Sequence, residues 1–256
     1  MIKTIDFRIK QLENMKTYPH ELFYLGNSTL LHKKMISIVG TRRPNSYTKK
    51  FTHELAQKLS NQNIIIVSGA AMGVDSLAHN GAGVSNTIAV VANGLDIRYP
   101  SVNKNLISQI EKNGLMLSQF PTSEKARAYT FVQRNEIVVA LGDILIVTQA
   151  DRNSGSLRSV EFALSMGKKI FTLPHRINES LGTQDLLKEG LAEVIYDIDS
   201  FVESLGYTCH EKNEDELLEY CKSYPTYDEA VSKFGERVFE YELLGKIKIG
   251  NGVISL

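Results

Sequence analysis

MISIVGTRRP, residues 35–44, joins an apolar run, residues 35–39, to a glycine turn that contains two arginines. The pattern returns at residues 64–75, where IIIVSGAAMGVD again joins an apolar run to a glycine turn. Each turn precedes a helical pattern. When a strand is followed by a glycine turn and the start of a helix, unpaired backbone N–H groups point at an anion. A parallel sheet places both turns along one edge, so the pair predicts a ligand with several phosphates. The alternative is that Gly40 and Gly69 only close tight turns.

Similar apolar runs recur along the chain and alternate with amphipathic helical patterns. Continuous runs of this kind are typical of parallel strands that are buried on both faces. The alternation predicts an α/β fold, a Rossmann-like doubly wound and mostly parallel sheet within residues 35–205. The predicted strands are 35–39, 64–68, 87–92, 115–118, 144–148, 169–173 and 193–196.

Three shorter segments flank this predicted domain. Residues 1–34 form a short N-terminal lead, and its apolar residues 22–25 predict an edge strand or a short cover over the sheet. A linker is predicted at residues 206–213. The charged run that begins at Glu211 indicates a linker or a helix start, and a solvated helix face fits it equally well. Residues 214–256 combine three helical patterns with a hairpin about a Gly-Asn-Gly turn, which predicts a small C-terminal winged-helix-like domain.

Composition indicates an ordinary globular protein without an overall attraction to nucleic acid. Hydrophobic residues make up 43% of the 256-residue chain and charged residues 23%. The 29 basic side chains balance the 29 acidic ones, so the formal net charge is zero. Binding to a nucleic acid would therefore require a local basic patch.

Cysteine and histidine usage predicts a cytoplasmic protein without a metal. Cys209 and Cys221 have no metal-like spacing and predict free thiols in a reducing compartment. The six histidines form no HxxxH or HxH pair, so we expect no metal site, and no cofactor is expected. The sequence shows no signal peptide and no apolar run of about 18 residues, from which cytoplasmic localisation without membrane insertion is expected.

Two further segments carry residue types that suit a nucleic acid. FVQRNE, residues 131–136, places an aromatic, an arginine and an asparagine at a helix start. Aromatic faces stack on bases, and arginine pairs with phosphates. Ser-Gly-Ser at residues 154–156 offers hydroxyl and N–H groups at another helix start. The alternatives are a core position for Phe131 with Arg134 as a surface charge, and a simple helix cap at residues 154–156.

Common nucleotide and hydrolase fingerprints are absent from the sequence. There is no GxGxxG for a dinucleotide, no GxxxxGK[ST] for a nucleoside triphosphate, and no GxSxG nucleophile elbow. The two arginines of the first turn favour an extended or multiply charged phosphate ligand, because arginine binds phosphate through two parallel hydrogen bonds.

Taken together, these segments resemble the DNA-processing protein A (DprA/Smf) family. GTRRP, SGAAMGVD, the FxxRNE segment, SGSL and the later Pro174 occur in the family's order, and the resemblance covers about residues 36–190. It implies a non-catalytic protein that binds single-stranded DNA, protects incoming DNA in natural transformation and helps to load the recombinase RecA. It also implies a homodimer with single-stranded DNA and RecA as partners.

The resemblance implies roles for individual residues of this chain. Arg42 would grip a DNA phosphate, Ser68, Gly69 and Gly73 would line the phosphate pocket, and Phe131 would lie against a base. No catalytic residue and no metal ligand is expected. The full set of DNA- or phosphate-binding residues is Gly40, Thr41, Arg42, Arg43, Ser68, Gly69, Gly73, Arg127, Phe131, Arg134, Asn135, Ser154, Gly155 and Ser156.

Some features depart from the family and leave other functions open. Glu136 stands where the family usually has arginine, and Ala128 lies near a position that is often basic. The alternative function is a phosphoribohydrolase-like nucleotide hydrolase that uses Glu161, although the PGG turn of such enzymes is absent. A winged-helix transcription factor would need a basic recognition helix, and residues 235–244 are acidic.

Overall fold

The computed structural model describes residues 1–206, 216–221, 223, 225–235, 237–243, 245–250 and 252–255. The chain divides into two compact units, Met1–Tyr207 and Thr208–Leu256. Apart from Gly206, the predicted linker at 206–213 lies outside the described residues, as does Cys209.

Residues 1–206 form a nine-stranded sheet with helices on both faces. Its strands are β1 (Lys3–Thr4), β2 (Phe23–Gly26), β3 (Met35–Val39), β4 (Ile65–Ser68), β5 (Thr87–Val90), β6 (Leu115–Ser118), β7 (Leu145–Val147), β8 (Ile170–Thr172) and β9 (Glu193–Val194). Its helices are α1 (Ser46–Asn61), α2 (Val74–Ala82), α3 (Lys104–Asn113), α4 (Ala128–Leu141), α5 (Ser156–Ser165), α6 (Leu181–Lys188) and α7 (Ile198–Ser204). Short 3-10 helices occupy Lys10–Asn14, Ser28–His32 and Ser101–Asn103.

The strand order is β1-β2-β6-β5-β4-β3-β7-β8-β9, and the seven strands from β6 to β9 in this order are parallel. From β3 the chain winds outward through β4, β5 and β6, and it then returns to add β7, β8 and β9 on the other side. The predicted mostly parallel α/β fold is confirmed. In such a fold, ligands bind beyond the carboxyl ends of the strands where the winding reverses, here between β3 and β7.

The apolar runs fold as strands because both faces of the sheet are covered. All five residues of β3 are buried, and successive side chains point to opposite faces. Met35 and Val39 pack in the layer that contains α4 and α5. Ile36 and Ile38 pack in the opposite layer with α1 and α2.

The N-terminal lead is part of the same sheet. Strand β2 pairs antiparallel with β6 on one side and with the two-residue β1 on the other, so the apolar segment 22–25 joins the sheet next to its edge, and β1 takes the edge position that was predicted for this segment. Leu12 is fully buried in the main core. The outermost strands, β1 and β9, are only two residues long.

The second unit contains α8 (Glu216–Cys221), α9 (Tyr227–Phe234) and α10 (Arg237–Leu243), followed by the antiparallel strands β10 (Lys248–Gly250) and β11 (Val253–Ser255). Thr226 begins α9 with a capping box, in which its hydroxyl accepts from the Glu229 N–H and the Glu229 carboxylate accepts from the Thr226 N–H. Its core includes Leu217, Ala230, Val238, Ile247 and Ile254. These elements agree with the predicted pattern, and the winged-helix assignment itself stays a prediction.

Within the described ranges, no helix has both the length and the apolar character that crossing a membrane requires. Nor do the side chains that the structure describes bring three or more His, Cys, Asp or Glu residues together in a group that could hold a metal ion.

Candidate nucleic-acid interface

A cavity of about 490 Å³ lies beyond the carboxyl ends of β3, β4 and β7. It brings together four segments that the sequence analysis singled out separately. The predicted residues that line it are Gly40, Arg42, Gly69, Phe131, Arg134, Asn135, Ser154, Gly155 and Ser156. The cavity therefore occupies the place where the winding of the sheet reverses.

The first turn is held in place by the second turn and by the end of β7. The Val74 N–H donates to the Thr41 carbonyl over 3.1 Å, and the Thr41 N–H donates to the Gln149 carbonyl over 2.8 Å. Gly73 has a φ of +81°, and a Cβ at this position would lie 2.4 Å from the Thr41 oxygen. Only glycine satisfies both this backbone angle and this close approach.

Ser68 and Gly73 are not among the residues that line the cavity, which corrects the expectation that they line it. The fully buried Ser68 hydroxyl donates to the Ile38 carbonyl over 2.6 Å. Both residues instead support the turns whose backbone faces the cavity. Three other predicted residues, Thr41, Arg43 and Arg127, are also absent from the cavity lining, and the exposed Arg127 begins α4 as its N-cap.

The second turn depends on two side chains that the sequence analysis missed. Ala70 has a left-handed backbone with φ of +55°, which is uncommon outside glycine. Its N–H donates to His79 Nε2 over 3.3 Å, and Asn103 Nδ2 donates to the carbonyls of Ala70 and Ala71 over 3.0 and 2.9 Å. These bonds fix the loop between Gly69 and Gly73. A histidine in the last turn of the short helix that follows a glycine turn was the available signal.

His79 is a neutral histidine with a defined tautomer. The Thr87 hydroxyl donates to the Ile66 carbonyl, so it accepts from His79 Nδ1–H over 2.6 Å, and Nε2 is left free to accept from Ala70. Burial, together with the positive charge of Arg134, lowers the pKa of His79 from 6.5 to about 3. The charged form is therefore strongly disfavoured in the folded protein.

We expect His79 to make folding sensitive to acid. Because its folded pKa lies below its unfolded pKa, its contribution is complete above pH 6.5 and decreases as the pH falls towards 3. The free energy of unfolding should drop by on the order of 2 kcal/mol between pH 7 and pH 5 from this residue alone. Urea unfolding of the wild type and of His79→Gln at both pH values measures this. An equal drop in both proteins would contradict the assignment.

Arg134 forms part of the cavity floor as a buried ion pair. Its side chain is only 5% exposed, and its Nη1 donates to the Val90 carbonyl over 3.0 Å and lies 3.8 Å from Asp75 Oδ2. The predicted alternative of a surface charge is therefore wrong. The absence of a side chain at Gly69 makes this position possible, because a Cβ there would lie 1.4 Å from Nη1.

Burial and charge act in opposite directions on this pair. Burial raises the pKa of Asp75, and the nearby Arg134 and the Ala71 N–H partly offset that increase. Burial also lowers the pKa of Arg134, whereas the Asp75 charge opposes the decrease. A guanidinium stays protonated in proteins, so we describe the two groups as a charged pair.

Arg42 and Phe131 are neighbouring residues of the cavity lining that reach solvent. Arg42 is exposed, and its Cζ lies 5.2 Å from the centroid of the half-buried Phe131 ring. The Arg134 Cζ lies 5.8 Å from the same centroid, and the Tyr99 ring lies 6.3 Å away. An exposed cation next to a partly exposed aromatic ring is a combination that accepts both a phosphate and a base.

The start of α5 also contributes to the cavity lining. The Ser154 hydroxyl accepts from the Ser156 N–H over 3.2 Å, and the exposed Gly155 precedes the helix. Arg158 in the first turn of α5 also lines the cavity, although the sequence analysis did not predict it. Glu136 does not line the cavity, and its carboxylate accepts from the Lys16 N–H over 3.3 Å. The Glu136 carboxylate thus joins α4 to the N-terminal lead through this hydrogen bond.

The fold and the cavity define a Rossmann-like protein whose candidate anion site lies at the reversal point of a doubly wound sheet. The chain belongs to the DNA recombination-mediator protein A family, whose model matches residues 7–206.

Curated relatives of this family support the same assignment. The chain is 35% identical to Protein Smf of Synechocystis over 198 residues, which are 73% of this chain and 49% of that protein. It is 33% identical to DNA processing protein DprA of Bacillus subtilis over 213 residues, 80% of this chain and 71% of that protein. The chain thus spans about half of the first of these relatives.

Solved structures of DNA processing protein A superpose on the chain. The protein from Helicobacter pylori, described for its single-stranded DNA binding mode, has a TM-score of 0.78 and 38% identity, with 80% of this chain and 95% of that one covered. The protein from Streptococcus pneumoniae has a TM-score of 0.72 and 34% identity, with 78% and 72% covered.

Proposed function

We propose that this chain binds single-stranded DNA at the cavity between β3 and β7 and does not hydrolyse it. The observation that carries the proposal is the meeting of Arg42, the Phe131 ring and the start of α5 in one cavity. A cation and helix N–H groups suit a phosphate, and an accessible ring suits a base. The single-stranded DNA binding of the Helicobacter pylori relative supports it.

The wider role follows from the family resemblance. We infer that the protein protects incoming DNA in natural transformation, helps to load RecA, acts as a homodimer and works in the cytoplasm. The second unit would serve as an interaction or packing module. Light scattering of the purified protein tests the homodimer, and a RecA loading assay on coated single strands tests the recombinase partner.

Nucleotide hydrolysis is the competing function, and the position of Glu161 argues against it. Glu161 is not a cavity-lining residue, and its exposed carboxylate pairs with Arg158. Asp75 does line the cavity, but it is engaged by Arg134 and the Ala71 N–H. Release of ribose phosphate from nucleoside monophosphates that depends on Glu161 would contradict the proposal.

Arg42→Ala should weaken binding to labelled oligo-dT by roughly 1–3 kcal/mol, because a charge-assisted contact to a phosphate is lost. The slope of log K against log salt should also fall by about 0.7, which is the value for one phosphate contact on a single strand. Fluorescence anisotropy between about 50 and 300 mM salt, which is roughly one third to twice physiological ionic strength, measures both. Arg43→Ala is the matched control, since Arg43 is equally charged and exposed but does not line the cavity. Equal losses in both variants would show that the cavity is not the site.

Phe131→Ala should reduce oligo-dT affinity by about 1–3 kcal/mol, the usual value of one base stacked on an aromatic ring. Its stability should change less than that of Phe171→Ala, because Phe171 is buried in the core whereas Phe131 is half-buried. Losing a core phenylalanine costs about 3–5 kcal/mol. Urea unfolding and anisotropy on both variants separate the two roles. A Phe131→Ala protein with a large stability loss and intact DNA binding would identify Phe131 as a packing residue.

A further inference from the structure

The geometry points to Arg158 as a second phosphate-binding arginine, which Glu161 holds in the free protein and releases when DNA binds. This inference rests on the proposed function and adds a competitor for the DNA within the site. It concerns the part of the cavity lining where α5 begins.

The position of Arg158 makes it available to a ligand. It lines the cavity together with Ser154, Gly155 and Ser156 and is exposed to solvent. The other arginines that line the cavity are Arg42, on the first turn, and Arg134, which is buried against Asp75. The lining therefore offers a phosphate in the cavity two exposed guanidinium groups, those of Arg42 and Arg158.

The ion pair that holds Arg158 is of a kind that exchanges easily. Arg158 Nη1 donates to Glu161 Oε2 over 2.8 Å, and both side chains are about 60% exposed, at 62% and 60%. Exposed pairs at this helical spacing add little stability. A phosphate offers the guanidinium two parallel hydrogen bonds instead of this single one.

A neighbouring arginine shows the contrast. Arg152 donates to both carboxylate oxygens of Asp185, over 2.6 and 3.0 Å, so its guanidinium already makes two parallel hydrogen bonds. Arg152 does not line the cavity between β3 and β7, although it lies only six positions before Arg158 in the chain. Arg158 thus combines a cavity position with a single hydrogen bond to its carboxylate, which is the arrangement expected of a group that changes partner.

If Arg158 leaves Glu161 for a DNA phosphate, Glu161 should lower the affinity of the protein for DNA. In the free protein the carboxylate neutralises Arg158, and on binding it must give up this partner while staying near a phosphate of the same sign. Removing the carboxylate charge should therefore strengthen binding, and the gain should require Arg158.

The test measures oligo-dT affinity of the full chain by anisotropy at several salt concentrations. Arg158→Gln should weaken binding about tenfold and reduce the salt slope by about 0.7. Glu161→Gln should strengthen binding about threefold, in line with the small energy of an exposed pair. In the double variant the threefold gain should disappear. Glu13→Gln is the matched control, because it removes the same charge from the exposed Arg8–Glu13 pair, which does not line the cavity.

The outcomes separate this inference from the proposed function. If Arg158→Gln binds like the wild type while Arg42→Ala is impaired, the DNA site stands and the role of Arg158 is overturned. If Glu161→Gln gains affinity equally with and without Arg158, or no more than Glu13→Gln, the partner exchange is overturned. If the wild type does not bind oligo-dT, both the proposed function and this inference are overturned.

Discussion

A Gly73→Ala protein is expected to lose roughly nine-tenths or more of its affinity for oligo-dT, which corresponds to one charge-assisted hydrogen bond. The new Cβ would lie 2.4 Å from the Thr41 oxygen and 2.7 Å from the Arg42 Cα. Because these are backbone atoms, the first turn has to move away, and Arg42 moves with it. Stability should fall by about 2–5 kcal/mol, the sum of left-handed strain and overpacking.

Gly83→Ala is the control that isolates the contact between the two turns. Gly83 has a φ of +76°, close to the +81° of Gly73, but a Cβ there would meet nothing within 4 Å. The control should therefore show the backbone strain alone, about 1–2 kcal/mol, with DNA binding intact. Measuring urea unfolding and anisotropy on both proteins decides the matter. If the two variants behave alike, packing between the turns does not hold Arg42 in place.

Arg134→Met should destabilise the protein by about 3–5 kcal/mol, which is the usual cost of breaking a buried ion pair from one side. The substitution leaves the Asp75 carboxylate buried without its cation and leaves the Val90 carbonyl without the Arg134 donor. A residue that only contacted DNA would lose binding and keep its stability. Urea unfolding of the variant distinguishes these two roles.

A double variant provides the internal check on this expectation. Asp75→Asn combined with Arg134→Met removes the unpaired charge and should recover part of the lost stability, giving a coupling energy in a double-mutant cycle. The Arg158→Gln variant is the control for a cavity arginine with an exposed side chain, and its stability should change little. Additive effects of the two substitutions would show that Asp75 and Arg134 are not coupled.

The architecture was largely predictable because it depends on local patterns. Each predicted strand of the sheet is found as a strand, because runs such as residues 35–39 are apolar apart from Ser37, whose buried hydroxyl donates to the Val138 carbonyl. The predicted run 87–92 is longer than β5, which ends at Val90, because Val91 and Ala92 continue as buried loop. Burial alone does not distinguish a strand from a buried turn.

The candidate site was predictable only in outline. The glycine turns predict where the cavity forms. The buried position of Arg134, however, depends on the missing side chain at Gly69, which lies far away in the chain. His79 and Asn103 act through hydrogen bonds to a left-handed residue, Ala70, whose backbone angle no pattern revealed. Such contacts arise from tertiary packing, and single-sequence reasoning has no access to them.

The short strands at both ends of the sheet bear on how copies of this protein can assemble. An exposed edge strand is a template for pairing with another chain, and long flat edges favour aggregation. Here one edge ends in Lys3–Thr4 and the other in Glu193–Val194, with a charged residue in each. These two-residue strands have few unpaired N–H and C=O groups, so a strand of a second molecule could form few hydrogen bonds with either edge of the sheet. Self-association of the unit formed by residues 1–206 is therefore expected to use helical or loop surfaces, and its nine-stranded sheet would stay closed to strand exchange.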